Sequence, residues 1–119
     1  MKTLVVALLA GFLLVVPGSG VAQAKTCAAP AYPSVNGRYT SDINAKHLGC
    51  DDAYKLLTKQ YKCRVKNGPM GRCVKLVMHF GCMEERYSDF YAETFVATVT
   101  CKHDRKKVSW SYEQSKTVA

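Results

Sequence analysis

Residues 61–82 read YKCRVKNGPMGRCVKLVMHFGC, and this stretch decides the fold. It holds half of the six cysteines and the most regular apolar alternation in the chain. Alternation over residues 73–80 predicts a half-buried β-strand, because successive side chains of a strand point to opposite faces. The residues predicted on its buried face are Val74, Leu76, Met78 and Phe80. Residues 67–71 (NGPMG) predict a loop, since glycine accepts positive φ and proline stops a helix.

Residues 62–66 also alternate, so two interpretations of the segment before the loop are open. In the first, a hairpin closes over residues 67–71. Symmetric closure would set Arg64 opposite Val74 and mix polar with apolar residues on one face, which the period of two makes costly. In the second, a helix runs to about Cys63 and no hairpin forms. We favour the second interpretation.

Residues 50–63 (CDDAYKLLTKQYKC) are the best helix candidate. Asp51 or Asp52 can accept hydrogen bonds from the first free N–H groups and oppose the positive end of the helix dipole. Apolar residues recur at the spacing of one helix face, namely Ala53, Leu56, Leu57 and Tyr61. The pattern predicts a short helix near residues 52–62 that packs on a sheet.

The remaining strands are predicted downstream of this helix. Residues 90–101 (FYAETFVATVTC) are rich in aromatic and β-branched residues and predict a long central strand. Residues 102–106 predict a charged turn, and residues 108–112 a strand that pairs antiparallel with the preceding one. Residues 83–89 (MEERYSD) predict an acidic loop or short turn. Residues 114–119 predict a frayed tail.

The segments before the helix carry weaker signals. Residues 25–39 predict an irregular arm that lies across the surface, is tied down by Cys27 and ends in a turn. Residues 38–49 are ambiguous, although Ser41 or Asp42 could cap a short helix there. Together the patterns predict an α+β fold: a small disulfide-rich single domain with one short helix packed on an antiparallel sheet of three to four strands.

The N-terminus predicts export. Lys2 precedes the apolar run 4–16, helix-breaking residues follow, and Ala22 and Ala24 supply small residues at the cleavage positions. The apolar run is shorter than the roughly 20 residues that span a bilayer, which argues against the alternative of a transmembrane anchor. We therefore expect a signal peptide at residues 1–24 and a single secreted, extracellular domain at residues 25–119.

The cysteine count fits this compartment. All six cysteines lie in the predicted mature chain, which predicts three disulfides in 15 possible pairings. They are Cys27, Cys50, Cys63, Cys73, Cys82 and Cys101. We expect Cys50 or Cys63 to join the helix to the sheet. A metal site is disfavoured because no C-x-x-C pair occurs, and no cofactor is expected.

The charge balance points to anionic partners. The chain has 17 Lys and Arg against 9 Asp and Glu, and without Lys2 the net charge of the mature chain is +7. The candidate partner-binding residues form a cluster without an intervening acid from Lys55 onward: Lys55, Lys59, Lys62, Arg64, Lys66, Arg72 and Lys75. Such a cluster suits an acidic protein surface or another polyanion, such as a receptor or a glycan, and nucleic acid remains possible. A solvated helix face is the alternative.

Three further groups of residues are weaker candidates for a functional site. A second basic group in the hairpin turn comprises Lys102, His103, Arg105, Lys106 and Lys107. The acidic residues between the two basic groups are Glu84, Glu85, Asp89 and Glu93, and internal charge balance is the favoured role. The aromatic residues Phe90, Tyr91, Phe95, Trp110 and Tyr112 could stack on bases or sugars, but core positions are favoured.

Catalysis has little support in the sequence. Acid–base cleavage of RNA could use His79 with His103, or a histidine with Glu93. The pancreatic-type ribonuclease signature C-K-x-x-N-T-F is absent, because Cys101-Lys102 continues with His-Asp-Arg. We therefore expect no catalytic residues and a monomeric, non-enzymatic protein of the effector, toxin or ligand type that binds an extracellular or target-cell component. A cationic defence protein acting on anionic membranes is the alternative, and a small secreted ribonuclease is third.

Overall fold

The computed structural model describes residues 24–117. Apart from Ala24, the predicted signal peptide lies outside the described residues, as do the last two residues of the predicted tail. The elements in chain order are β1 (Lys25–Cys27), β2 (Gly37–Tyr39), β3 (Ile43–Lys46), α1 (Cys50–Val65), β4 (Gly81–Tyr87), β5 (Thr94–His103) and β6 (Lys106–Ser115).

The strands form one antiparallel sheet in the order β1-β3-β6-β5-β4. The sixth strand, β2, also pairs with β6. It lies along the same edge of β6 as β3, but farther from the turn that joins β5 to β6. The central strand β6 therefore has three partners. This arrangement confirms the small disulfide-rich α+β fold, but the sheet has six strands where the sequence predicted three to four.

The core lies between α1 and one face of the sheet. Strands β5 and β6 alternate buried and exposed residues, and their buried side chains include Phe95, Val99, Val108 and Trp110. The helix contributes Ala53, Leu56 and Leu57, all of which are essentially inaccessible to solvent. Burying a leucine side chain stabilises the folded state by about 1.5–3 kcal/mol. The predicted apolar helix face is confirmed at these three positions, while Tyr61 is only partly buried.

The ends of α1 differ in detail from the prediction. The N-cap residue is Gly49, which makes no side-chain cap, whereas Asp51 and Asp52 lie in the first turn. They face the positive end of the helix dipole there without capping it. The helix continues past Cys63 to Val65, so the interpretation without a hairpin is correct. The loop follows as predicted, and Gly68 has a φ of 91° that other residues rarely adopt.

The predicted strand at residues 73–80 is wrong. Val74 and Leu76, assigned to its buried face, are 93% and 67% exposed. Within this segment the β-bridging is limited to one isolated bridge, between Val77 and Phe80. The two residues between them, Met78 and His79, have left-handed backbone conformations. The Cys63–Cys73 disulfide fixes the start of the segment to the helix end, and no other strand pairs with it in the described chain.

The predicted loop at residues 83–89 is also wrong, because β4 occupies most of it. This strand forms an edge of the sheet, and polar Glu84 and Arg86 take its inward positions while Glu85 points outward. The sequence therefore lacks the apolar alternation that marks most strands.

The predictions for both chain ends need correction. The arm at residues 25–39 carries β1 and β2 at its ends, and the ambiguous segment 38–49 contains β3, not a helix. Ile43 and Ala45 of β3 are fully buried core residues. In the predicted frayed tail, Gln114 is buried within β6.

The predicted β5–β6 hairpin is confirmed. It closes through a two-residue turn in which Asp104 has a φ of 51°. The long strand begins at Thr94, later than expected, so Phe90 and Tyr91 precede it and are 90% exposed.

All six cysteines form disulfides, which pair Cys27 with Cys50, Cys63 with Cys73, and Cys82 with Cys101. The first joins β1 to the start of α1, as expected for Cys50 and Cys27. The second closes the loop after α1, so Cys63 does not reach the sheet. The third joins directly opposed residues of β4 and β5. Each cross-link limits the freedom of the unfolded chain and contributes about 2–4 kcal/mol.

Candidate functional site

A groove runs between the last turns of α1 and the segment 75–78. Its volume is about 220 Å³. Four exposed lysines line it together with apolar side chains and Cys63, which is disulfide-bonded to Cys73; the lining residues are Lys59, Lys62, Cys63, Lys66, Lys75, Leu76, Val77 and Met78. We call this feature the lysine groove. It brings together four members of the predicted basic cluster.

A fifth member extends the same surface along the helix. Lys55 lies beside Tyr54 and Thr58 in a shallow depression that also includes Lys59 and Lys62. Within residues 24–117 none of the five lysines forms an ion pair. Each lysine is exposed. The surface therefore presents uncompensated positive charge around an apolar floor.

The loop that positions Lys66 and Arg72 is built closely onto the helix. Gly71 is buried, and a Cβ atom there would collide with the main-chain oxygen of Arg64 and with Asn67. Its own carbonyl oxygen accepts a hydrogen bond from Arg86. Only glycine fits at position 71, because the main chain of Arg64 and the side chain of Asn67 lie so close to it. This contact fixes where the loop leaves the helix.

Arg64 does not belong to this surface, and its assignment to a partner-binding cluster is wrong. Only 1% of the residue is exposed. Its Nη1 donates to Gln114 Oε1 at 2.8 Å and its Nη2 donates to the Tyr32 hydroxyl at 2.8 Å. It links the helix end to β6 and to the N-terminal arm, because position 64 lies on the buried face of α1.

Arg72 also turns away from the lysine groove. Its Nη1 lies 3.6 Å from Glu84 Oε2, and Arg86 Nε lies 2.6 Å from the same oxygen. The other Glu84 oxygen accepts a hydrogen bond from the Tyr112 hydroxyl. Glu84 therefore balances two arginines internally, which agrees with the charge-balance role predicted for the acidic segment.

These polar side chains form one network beneath the loop at residues 67–72. Gln114 Nε2 donates to Pro69 O at 2.8 Å, and Arg86 Nη1 donates to Met70 O at 2.7 Å. Burial raises the pKa of the Tyr112 hydroxyl; the charge of Arg64 acts against this, and the hydrogen bond to Glu84 adds to it. The network holds the loop on the sheet.

The second basic group is divided between the two faces of the sheet. Lys102 and Lys107 are opposed residues on the face away from α1. His103 points toward the other side, where its ring centroid lies 6.1 Å from that of His79 and 5.6 Å from that of Phe80. The structure thus brings together the two histidines considered for catalysis. In the described chain no three His, Cys, Asp or Glu side chains are grouped as a metal site.

The aromatic residues singled out in the sequence fall into a buried group and an exposed group. Phe95, Trp110 and Tyr112 are core residues, as favoured. Phe90 and Tyr91 are exposed and contact each other edge to face, with ring centroids 5.2 Å apart. Sequence reasoning missed Lys46, which the register places opposite Lys107. Only the strand pairing shows that Lys46 lies beside Lys107, because β3 is too short to be predicted from its apolar pattern.

Comparison of the chain with protein families, with characterised proteins and with solved structures finds no match. The described residues contain no helix that is long and apolar enough to cross a membrane. Three disulfides in a small domain are compatible with a secreted, cysteine-rich protein.

Proposed function

We propose that residues 25–119 form a secreted protein that acts without catalysis, by binding an acidic face of an extracellular or target-cell protein at the lysine groove. The observation that carries the proposal is the convergence of exposed, unpaired lysines from α1 and the following segment around one groove. Positive charge concentrated on one face steers an acidic partner and raises its association rate.

The floor of the groove favours a protein over a bare polyanion. Leu76, Val77 and Met78 line it, and Val74 nearby is 93% exposed. Exposed apolar side chains rimmed by charge are typical of protein–protein contact sites. A partner with acidic residues around an apolar anchor would satisfy both parts of the groove.

The test compares wild-type protein with two variants of equal charge. One carries Lys59→Gln, Lys62→Gln and Lys75→Gln in the groove, and the control carries Lys46→Gln, Lys102→Gln and Lys107→Gln on the sheet. Oxidised proteins are used for affinity capture from extracellular extract at low and physiological salt. We expect one partner to be lost with the groove variant and kept with the control. Capture that ignores the groove lysines and salt would contradict the proposal.

A membrane role is the second candidate, because exposed Leu76 and Val74 beside lysines also suit the surface of an anionic bilayer. Leakage from anionic vesicles at physiological salt, abolished by Leu76→Asp, would favour this defence function over protein binding. We expect no leakage, and the neutral vesicle is the control.

A ribonuclease remains the third candidate because His79 and His103 lie together. We expect the oxidised mature protein to leave RNA intact. Cleavage that disappears in both His79→Ala and His103→Ala would show that the protein is an enzyme. Cleavage that survives both substitutions would indicate a contaminating nuclease.

A further inference from the structure

The sheet face opposite α1 is a second unusual surface. Alternate residues of β3, β4, β5 and β6 point to it, and among the described residues no helix packs on it. Exposed or partly exposed side chains cover this face, whereas the core residues of the same strands point to the helix. We call it the outer face.

Three lysines form one row across this outer face. Lys102 of β5 lies directly opposite Lys107 of β6, and Lys107 lies directly opposite Lys46 of β3. Neighbouring strands are about 4.8 Å apart, so the three lysine positions span roughly 10 Å. The position on β4 that completes the row is Gly81, which has no side chain. The row is therefore purely cationic.

In the described chain none of these three lysines forms an ion pair. Like charges at directly opposed strand positions destabilise a sheet. The nearest acid in sequence is Asp104, whose carboxylate faces His103 at 3.6 Å. Glu85 on the outer face is level with Thr98, four residues from Lys102 along β5. Four residues of strand place the two backbone positions about 13 Å apart.

Hydroxyl and amide groups lie next to the lysine row. The adjacent row contains Asn44, Ser109 and Thr100 in register. In the following row the hydroxyls of Thr98 and Ser111 lie 3.0 Å apart. Over β4, β5 and β6 a depression of about 310 Å³ is lined by Gly81, Met83, Glu85, Thr98, Thr100, Lys102 and Lys107, so one carboxylate lies at its edge away from the lysine row. Hydroxyls and amides both donate and accept, as sugar hydroxyls require.

We infer that the outer face binds a sulfated polysaccharide, with sulfate groups on Lys46, Lys102 and Lys107 and sugar hydroxyls on the neighbouring polar rows. An anionic chain crossing the strands relieves the repulsion that the lysine row creates. Single-stranded nucleic acid fits less well because it stacks its bases on aromatic side chains. The three rows that carry the lysines and hydroxyls contain none. The site is independent of the lysine groove, which lies on the helix side.

The first experiment measures affinity for a size-defined heparin oligosaccharide by titration calorimetry, with the desulfated oligosaccharide as the ligand control. The triple variant Lys46→Gln, Lys102→Gln, Lys107→Gln is compared with the groove variant Lys59→Gln, Lys62→Gln, Lys75→Gln, which removes the same charge. We expect the outer-face variant to lose about tenfold or more in affinity and the groove variant to lose at most about threefold. Equal losses would overturn the inference, as would stronger binding of a single-stranded oligonucleotide.

A second measurement keeps the inference testable if the triple variant folds poorly. We expect the single variants Lys102→Gln and Lys107→Gln to melt at or above the wild-type temperature in low salt, with the difference vanishing in high salt. Saturating oligosaccharide should raise the melting temperature of wild type by more than that of either variant. Lower melting temperatures for both single variants in low salt would show that the row is not repulsive and would overturn the inference.

Discussion

The guanidinium carbon of Arg64 lies 4.1 Å from the ring centroid of Tyr112, so the end of α1 stacks on the central strand through a buried cation–π contact. A charge in this position is held by hydrogen bonds to Gln114 and Tyr32. The helix is thus attached to the sheet by polar contacts at one end and by the Cys27–Cys50 disulfide at the other.

We expect Arg64→Ala to lower the free energy of unfolding by about 3 kcal/mol or more, because it leaves buried polar partners without their donor. Urea unfolding with the disulfides intact measures the change. Lys62→Ala is the matched control on the exposed side of the same helix, with a change within about 0.5 kcal/mol. Equal losses in the two variants would contradict a structural role for the buried arginine.

Gly71→Ala is expected to destabilise the protein by about 1–3 kcal/mol, because the added methyl group meets the Arg64 carbonyl and Asn67. The control is Gly49→Ala, where a Cβ atom meets nothing within 4 Å. We expect that substitution to cost about 1 kcal/mol or less, because the only penalty there is that alanine is a weaker N-cap than glycine. Thermal melts of both variants make the comparison, and a neutral Gly71→Ala would mean that the loop is free to move away from α1.

Removing the Cys63–Cys73 disulfide tests the lysine groove more than the fold. The double variant Cys63→Ala, Cys73→Ala releases the segment that carries Lys75 from the helix end. We expect a stability loss of about 2–4 kcal/mol and a clearly weaker capture of the acidic partner. Cys82→Ala, Cys101→Ala is the control, since it has a similar stability cost but lies away from the groove. Equal binding by both double variants would argue against the groove.

Stability should fall as the pH rises above 10. Burial raises the pKa of Tyr39 and of Tyr112 above the ordinary value of 10.0. Above that pH the unfolded chain releases these protons while the folded chain retains them, so stability that is fully present below pH 10 is lost with increasing pH. The slope for Tyr112 is about 1.4 kcal/mol per pH unit. Denaturant unfolding on either side of pH 10 measures it.

Tyr39→Phe provides the control for this pH dependence. It removes a titrating hydroxyl for which no hydrogen bond is found among residues 24–117, so stability at neutral pH should change little. The fall above pH 10 should become shallower. An unchanged pH profile would show that Tyr39 titrates in the same way in the folded and unfolded chains.

The sequence predicted the elements whose apolar pattern coincides with burial. In α1 the apolar spacing matched the buried face, and in β6 the alternation of Val108, Trp110 and Tyr112 matched it again. The disulfide content followed from the number of cysteines. The fold class was predictable because these features are local and periodic.

The errors occurred where the apolar pattern of the sequence does not match which side chains are buried. Val74 and Leu76 alternate like strand residues but are exposed, because the segment has no neighbouring strand. Glu84 and Arg86 point inward from a true strand, because arginine, glutamate and tyrosine satisfy one another there. Their burial depends on contacts between residues far apart in sequence. A single sequence contains no direct signal for such contacts.

The candidate surfaces were predictable to a similar degree. The helix lysines of the groove were identified correctly as neighbours, since helical spacing places them on one side. Arg64 was assigned to them because charged residues are mostly exposed. The outer-face row was not predictable, because it requires the register of three strands that are separated by the helix and the loops.

The position of β6 determines when the sheet can assemble as the chain emerges during synthesis. This strand is the last of the six in chain order, yet it carries β2, β3 and β5 along its two edges. Until it emerges, β2 has no partner and the β1–β3 pair is separate from the β4–β5 pair. Such distant pairings form slowly. The six-stranded sheet therefore cannot be completed until its last strand has emerged, and before then its strands can form only the two separate pairs.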